Sequence, residues 1–517
     1  MQKGRGKDTF SAGLSQSASS GGIVKRQERC GKGVSPLVDG CASVLFVSAQ
    51  FFAFLCLVFA LYWLLPWSAA RTWLLLAASF YFYASWNQWL ACLVSASAAL
   101  DFVLARGIEA TSSSKGRRIL VTISILSNLG LLTYFKYANF FLESLAQALC
   151  RAGCHVSMPA LQVVVPIGIS FYTFEAINYT VDVYRGRMRA ERSLKNFMLF
   201  ILFFPHLVAG PIVRARDFLP QIQRAKHWSW PRLHLAVQLF LLGLFKKLAV
   251  ADRMALVADP VFANPANYQT TAIWIGVFAY AIQIYCDFSG YADMAIGAAH
   301  MFGYKLAPNF DVPYLAANIS AFWRRWHMSL SGWLRDYLFI PLGGSRSGPW
   351  RTRFNLLVTM TLGGLWHGAA WHFVVWGMLH GVWLTLHREL NSCVGRWPHV
   401  QKILESAGGT ILRTAATFLG VCLAWVLFRA TCLAEALTMF RLMLFGGTGG
   451  TLHLESSLFW IAAAGGLLAQ LGWKLGRWQI VLRKAPPVAL GWSYATALTI
   501  ALMLAPDAAK TFVYFQF

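Results

Sequence analysis

Residues 354–387 read FNLLVTMTLGGLWHGAAWHFVVWGMLHGVWLTLH, a run of 34 residues without Asp, Glu, Lys or Arg. As one helix, at 1.5 Å per residue, the run would be about 50 Å long, whereas the hydrocarbon core of a bilayer is about 30 Å thick. Basic residues flank it on both sides, so both ends are expected on the same side of a membrane. We therefore predict that it turns back near Gly363-Gly364 or Gly368.

The rest of the chain has the same apolar character. Of its 517 residues, 57% are hydrophobic and 13% are charged, and the mean hydropathy is +0.51. This composition excludes soluble multidomain enzymes and disordered scaffolds. We predict an all-α polytopic membrane protein with roughly 11–13 membrane segments. The other apolar spans lie at about 45–66, 72–86, 88–105, 119–142, 163–184, 197–213, 235–257, 271–301, 411–429, 433–446, 457–473 and 488–507.

Basic residues outnumber acidic ones, with 45 Lys and Arg against 21 Asp and Glu, which gives a net charge of +24. They concentrate in short loops between apolar spans, as is typical of the cytoplasmic loops of membrane proteins. We therefore interpret the charge as a signal of topology and predict no nucleic-acid partner. The loops predicted to be cytoplasmic are 106–118, 185–195, 214–232, 344–353 and 474–484.

Two further segments depart from a simple series of crossings. Residues 197–213 lie between two basic loops and contain Pro205 and Pro211, so a re-entrant hairpin buried in protein is expected there. Residues 1–43 are rich in Gly, Ser and basic residues, and we predict a disordered basic tail. The tail is interpreted either as a cytoplasmic arm or as the product of a misassigned start codon. Residues 44–517 form the predicted membrane domain.

Segment 321–340 contains the first candidate for chemistry, His327. The segment is predicted to be one amphipathic helix, and His327 lies between its apolar stripe and a polar stripe that includes Arg324 and Arg335. A partly desolvated imidazole stays neutral and can act as a base. The alternative is an interfacial helix whose histidine and arginines contact lipid headgroups.

The second candidate is His367, which lies between glycines in the uncharged run 354–387. An ionisable group inside a membrane segment is a functional candidate by default. The alternatives are a structural histidine that hydrogen-bonds a backbone carbonyl, or a metal ligand. A metal site is not predicted, because an HExxH motif is absent and no carboxylate lies nearby in sequence.

Acidic residues inside apolar spans are further candidates. Asp287 and Asp293 interrupt the span 271–301, and two carboxylates in one membrane segment cost several kcal/mol unless they are paired. Such groups also serve proton-coupled transport, so the residues alone leave a transporter and an intramembrane enzyme both open. The predicted partners and members of this charge network are Arg324, Arg325, Arg335, Asp336 and Lys136, and a separate polar stripe consists of Glu175, Asn178 and Asp182.

Five stretches, in this order, resemble the membrane-bound O-acyltransferase family, in particular its bacterial branch of alginate O-acetylases and teichoic acid D-alanyl transferases. They are 165–174 (VPIGISFYTF), 204–214 (FPHLVAGPIVR), 285–291 (YCDFSGY), 323–337 (WRRWHMSLSGWLRDY) and 364–368 (GLWHG). The resemblance covers residues from about 44 to 450. The tail 1–43 and His372 depart from the family pattern.

The resemblance implies an O-acyltransferase of the bacterial inner membrane with a central funnel or tunnel flanked by His327 and His367. It implies a cytoplasmic thioester donor, with acetyl-CoA expected, and an acceptor from the other side. It also implies a periplasmic acetyltransferase partner and polysaccharide synthesis and export machinery. The expected product is an O-acetylated exported polysaccharide, with alginate as the first candidate and cellulose-type polysaccharides, other polysaccharides or peptidoglycan as close alternatives. No bound cofactor is expected. The competing hypothesis is a polytopic transporter or exporter subunit without acyl chemistry.

Overall fold

The computed structural model describes residues 46–154, 156, 159, 161–207, 210–447, 449, 456–476, 485–505 and 512–513. The predicted tail 1–43 lies outside the described residues. Within them the chain is helical and contains no β-strand.

The α-helices follow one another along the chain with short connections. They are α1 (Ala49–Leu64), α2 (Ser68–Ala84), α3 (Gln88–Ala110), α4 (Ser114–Leu132), α5 (Ala138–Arg151), α6 (Ile169–Tyr184), α7 (Leu194–Leu202), α8 (Phe204–Leu207), α9 (Ala215–Gln223), α10 (Trp230–Phe245), α11 (Asp252–Ala263), α12 (Thr270–Met301), α13 (Ile319–Trp323), α14 (Met328–Leu334), α15 (Pro349–His367), α16 (Trp371–Val394), α17 (Pro398–Glu405), α18 (Ala407–Arg429), α19 (Leu433–Phe445), α20 (Ser456–Lys474) and α21 (Pro487–Met503). Short π-helical turns join α4 to α5 and α10 to α11, and another, Arg335–Phe339, follows α14.

The predicted fold class, an all-α polytopic membrane protein, is confirmed. By length and composition, five helical segments of the described chain are able to cross a membrane. They are Gln88–Ala110, Ser114–Arg151, Trp230–Ala263, Thr270–Met301 and Ala407–Arg429. Two shorter apolar helices, α1 and α21, accompany them.

Glycines let the central helices pack closely. A Cβ atom on Gly243 of α10 would lie 2.4 Å from the carbonyl oxygen of Gly290 on α12, and one on Gly297 would lie 2.6 Å from the oxygen of Ala236. Close approach of backbones at small residues is how helices associate in membranes. The glycines therefore bring α10 against α12, the helix that passes beside the candidate site.

The uncharged run 354–387 folds as predicted at Gly368. Helix α15 ends at His367, residues 368–370 turn, and α16 starts at Trp371. The two helices pack through Gly364 and Gly377, where a Cβ on Gly364 would lie 2.2 Å from the carbonyl oxygen of Phe373. This hairpin fixes His367 at a helix end inside the protein.

We expect Gly364→Ala to separate α15 from α16 and to lower stability by about 1–3 kcal/mol, because the new methyl group meets backbone atoms that cannot rotate away. Gly363→Ala is the matched control, since its methyl group would lie 3.0 Å from the mobile end of the Leu334 side chain. Thermal unfolding followed by fluorescence-detected gel filtration measures both. Equal transition temperatures for the two variants would contradict the close helix contact.

Residues 197–207 and 210–213 are almost all buried and their helix is broken, as expected from the two prolines in this stretch. Helix α7 ends at Leu202, and the single turn α8 follows. Helix α6 holds the residues around Val213. The Glu175 carboxylate accepts the Val213 N–H at 2.8 Å, and the Asn178 amide donates to the Val213 carbonyl at 2.9 Å. Two members of the polar stripe of α6, Glu175 and Asn178, therefore hold this segment in place.

The prediction of one continuous helix over 321–340 is wrong. The chain forms α13, turns at residues 324–327, and resumes as α14. The apolar stripe is nevertheless buried, with Phe322, Trp326, Leu330 and Trp333 each at most 8% exposed. The break occurs because His327 adopts a left-handed backbone conformation, with φ 44°.

Candidate active site

His327 occupies the turn between α13 and α14, and its side chain is fully buried. A non-glycine residue at positive φ is uncommon, and such strained conformations cluster at functional sites. The Phe288 ring of α12 lies 4.7 Å from the imidazole, centroid to centroid, in an edge-on arrangement. The imidazole therefore sits in a packed environment that favours its neutral form.

Asn309 anchors the turn. Its backbone carbonyl accepts the Met328 N–H at 2.9 Å, and its side-chain Oδ1 accepts the Ser329 N–H at 3.1 Å and the Ser329 hydroxyl at 2.8 Å. A backbone N–H can only donate, so the atom of the Asn309 side-chain amide that faces the Ser329 N–H must be the oxygen and not the nitrogen. His327 Nδ1 lies 3.3 Å from that oxygen. Nδ1 therefore carries the hydrogen, and Nε2 carries the basic lone pair.

His367 ends α15 and is 4% exposed. Aromatic side chains surround it, with the ring centroids of Trp366, Trp376 and Phe428 at 5.1, 5.2 and 5.3 Å from the imidazole centroid. The centroid of the His327 ring lies 6.4 Å away. The structure therefore brings the two predicted histidines together, although 39 residues separate them in sequence.

Lys136 approaches the same place from the π-turn between α4 and α5. Its ammonium group donates to the carbonyl oxygens of Trp366 and His367, at 2.8 and 3.1 Å. A cation at a helix C-terminus satisfies the last carbonyls and offsets the helix dipole. Lys136 thus lies in the site. It binds the backbone of α15, whereas the sequence predicted that it would pair with Asp287.

Asp287 has a partner that the sequence did not predict. Its carboxylate lies 2.8 Å from the Lys247 ammonium, which also contacts Asp252 at 2.8 Å, and all three side chains are buried. Asp287 also accepts the Val513 N–H at 2.7 Å. The predicted pairing with Arg324, Arg325, Arg335 or Lys136 is therefore wrong. Asp293 likewise pairs with a neighbouring lysine, Lys246, at 2.6 Å.

Arg335 and Asp336 lie in a second charge cluster beyond α14. Asp336 binds Arg335 at 2.8 Å and Arg214 at 2.9 Å. Burial alone would raise the pKa of Asp336, but the hydrogen bond from Arg335 and the charge of Arg214 outweigh it and hold the pKa below its usual range. Tyr337 extends the cluster by donating to Asp182 at 2.8 Å. The cluster joins the predicted cytoplasmic ends of α6, α9 and α14.

Arg324 and Arg325 have different environments. Arg324 is exposed and donates to the Ser320 hydroxyl at 3.0 Å. Arg325 is half-buried, and its backbone carbonyl accepts the Asp311 N–H at 3.0 Å, which helps to hold the loop that carries Asn309.

Among the described residues, no group of three or more His, Cys, Asp or Glu side chains is arranged to hold a metal ion.

The acyltransferase interpretation is decided by comparison with known proteins. The family model described as MBOAT, membrane-bound O-acyltransferase family, matches residues 42–401, which include both histidines, Asn309 and Lys136. The chain belongs to this family. It is therefore an O-acyltransferase, and the competing hypothesis of a transporter without acyl chemistry is not supported.

The curated relatives of this O-acyltransferase include several acetylases. It is 41% identical to "Probable alginate O-acetylase AlgI" of Azotobacter vinelandii over 76% of each chain. It is 40% identical to the protein of the same name from Pseudomonas aeruginosa, over 77% of this chain and 74% of the relative. It is also 36% identical to "Peptidoglycan O-acetyltransferase" of Helicobacter pylori, over 72% of this chain and 73% of the relative.

Proposed function

We propose that this acyltransferase moves acetyl from a cytoplasmic thioester, acetyl-CoA, across the bacterial inner membrane for O-acetylation of an exported polysaccharide. The observation that carries the proposal is the pair of buried imidazoles with ring centroids 6.4 Å apart. The names of the relatives from Azotobacter and Pseudomonas support alginate as the first candidate polymer. A periplasmic acetyltransferase and polysaccharide synthesis and export machinery are the proposed partners.

His327 is the proposed general base. Its Nδ1–H is held by Asn309, so Nε2 can take the proton of an attacking hydroxyl. The hydroxyl oxygen then forms a bond to the acyl carbon, the carbon–sulfur bond breaks, and the proton passes from His327 to the leaving thiolate. The acceptor hydroxyl belongs either to the polysaccharide or to the partner acetyltransferase.

His367 and Trp376 are proposed to bind the reacting acyl group. The Trp376 indole N–H is buried and makes no hydrogen bond to the part of the chain that the structure describes. Its ring lies 5.2 Å from that of His367, so the N–H is available to a ligand beside the imidazole. Such a donor stabilises the negative charge that develops on the carbonyl oxygen in the transition state.

The test is the ester-linked acetate content of exopolysaccharide from a deletion strain. The strain is complemented with wild type, His327→Ala or His367→Ala, and membrane levels are matched by immunoblot. We expect wild type to restore acetate and both variants to give normal polymer yield without acetate. Loss of the polymer itself, or normal acetate with both variants, would refute the proposal.

Asn309→Ala is expected to lower kcat roughly tenfold, because the His327 ring loses the acceptor that selects its tautomer and orientation. The KM for the thioester should change little, since Asn309 is not proposed to touch the donor. Steady-state kinetics of the purified enzyme separate the two constants. Asn309→Asp keeps an acceptor oxygen and should recover part of kcat, whereas no recovery would argue against a positioning role.

A further inference from the structure

A basic cavity of about 480 Å³ lies at the end of α12 that is remote from His327. Phe288, which contacts His327, and His300, which lines the cavity, are separated by about 18 Å along the helix, at 1.5 Å per residue. Four of the nine lining residues are cations and, within this lining, none is acidic. The cations are Arg224, Lys226, Arg232 and Lys305.

The cations are held close together without compensating charge from the lining. Burial and the nearby charges of Arg232 and Arg224 lower the pKa of Lys226 to about 8. Gly303, at φ +85°, leaves room for this arrangement, since a Cβ there would lie 3.2 Å from Lys226 Cδ and 3.5 Å from Arg232 Cζ. An anion bound between these side chains would relieve their mutual repulsion.

His300 adds a polar atom that the protein leaves available. It is 8% exposed, and its Nδ1 makes no hydrogen bond within the described residues. A buried polar atom without a partner costs free energy that a ligand can recover. Cations together with a neutral hydrogen-bonding imidazole suit the oxygens of a phosphate ester.

Tryptophans of the kind enriched at the depth of lipid headgroups lie beside the cavity. The Arg232 guanidinium lies 5.7 Å from the Trp63 ring centroid, and Trp63, Trp228 and Trp230 follow one another at 5.1 Å between ring centroids. Trp228 and Trp230 are 42% and 69% exposed. Exposed tryptophan is enriched at membrane interfaces, and the loop 214–232 is predicted to be cytoplasmic.

We propose that this cavity binds the phosphate headgroup of an anionic membrane lipid. Soluble phosphate esters share this chemistry, but the adjoining tryptophans favour a ligand that reaches the cavity from the bilayer. The site is separate from the two histidines and does not depend on which polymer the enzyme acetylates.

The test is native mass spectrometry of the purified full-length protein with phosphatidylglycerol, phosphatidylcholine, or coenzyme A as a soluble phosphate ester. We expect the protein to retain phosphatidylglycerol in preference to phosphatidylcholine. The double variant Lys226→Gln/Arg232→Gln should retain phosphatidylglycerol at least about tenfold more weakly, because each basic residue near an anionic lipid contributes to the binding free energy. Arg396→Gln/Lys402→Gln removes the same charge from exposed positions elsewhere and should bind like wild type.

The exposed pair Arg224→Gln/Lys305→Gln provides a second variant that is expected to fold, and gel filtration checks both. It too should weaken phosphatidylglycerol retention. Equal weakening in the control would show diffuse electrostatic attraction and overturn the proposal. Unchanged lipid retention in both cavity variants would also overturn it, as would a loss confined to coenzyme A, which would assign the cavity to a soluble ligand.

Discussion

Replacing either His327 or His367 with alanine is expected to reduce acyl transfer by the purified enzyme by about 10²- to 10⁴-fold, the usual contribution of a positioned acid–base group. The loss should appear mainly in kcat, because the imidazoles are proposed to act on the reacting atoms. His327→Ala removes the group that takes the proton. His367→Ala removes the second imidazole beside the acyl group.

The assay follows thioester cleavage in detergent, with thiol release as the readout. His387→Ala is the matched control and should keep wild-type turnover, because this half-buried histidine lies 20 residues after His367, near the C-terminal end of α16, and contacts Asn391. A wild-type enzyme that releases no thiol with any acceptor, or histidine variants that retain most of its rate, would contradict the proposed chemistry.

Lys247→Met is expected to lower the stability of the protein by about 3–5 kcal/mol, because it leaves Asp252 and Asp287 buried without their shared cation. These contacts join the π-turn after α10 to both α11 and α12. Because this loss is a large share of the free energy of unfolding of a typical protein, little folded protein should reach the membrane. Membrane abundance and thermal unfolding in detergent measure the effect.

Lys246→Met is the matched control for this variant. Its ion pair with Asp293 is less buried, with side-chain exposures of 22% and 20%, and its loss leaves one carboxylate unpaired instead of two, so the cost should be smaller. Adding Asp287→Asn to Lys247→Met should restore part of the stability by removing one buried negative charge. Equal stability of the two single variants would show that the buried network contributes little.

The membrane segments could be predicted because the bilayer restricts what the chain can do. The apolar spans 235–257 and 271–301 correspond to helices that start at Trp230 and Thr270, and the length of the run 354–387 required the turn found after His367. Lipid contact excludes irregular backbone, so length and charge are sufficient to place helices. His367 was singled out for the same reason, since a polar group in such a segment needs a function or a partner, whereas His327 was singled out by its position between the apolar and polar stripes of segment 321–340.

The contacts of the site could not be predicted, because they join residues that are distant in sequence. Asp287 was given the wrong partners, since Lys246 and Lys247 lie in an apolar span and nothing in their pattern indicates which helix they face. Asn309 lies in a loop without a recognisable motif. The break at His327 was missed because Trp326-His327-Met328 contains neither glycine nor proline, and tertiary contacts impose the turn.

The positive φ of His327 gives this position opposite requirements for stability and activity. Left-handed backbone costs a non-glycine residue about 1–3 kcal/mol, and glycine adopts it without that cost. Replacing His327 with glycine would remove this strain, but it would also leave a cavity where the fully buried imidazole packs against Phe288. With His327 as the proposed base, backbone strain at this turn is a cost in folding energy that is given up for chemistry.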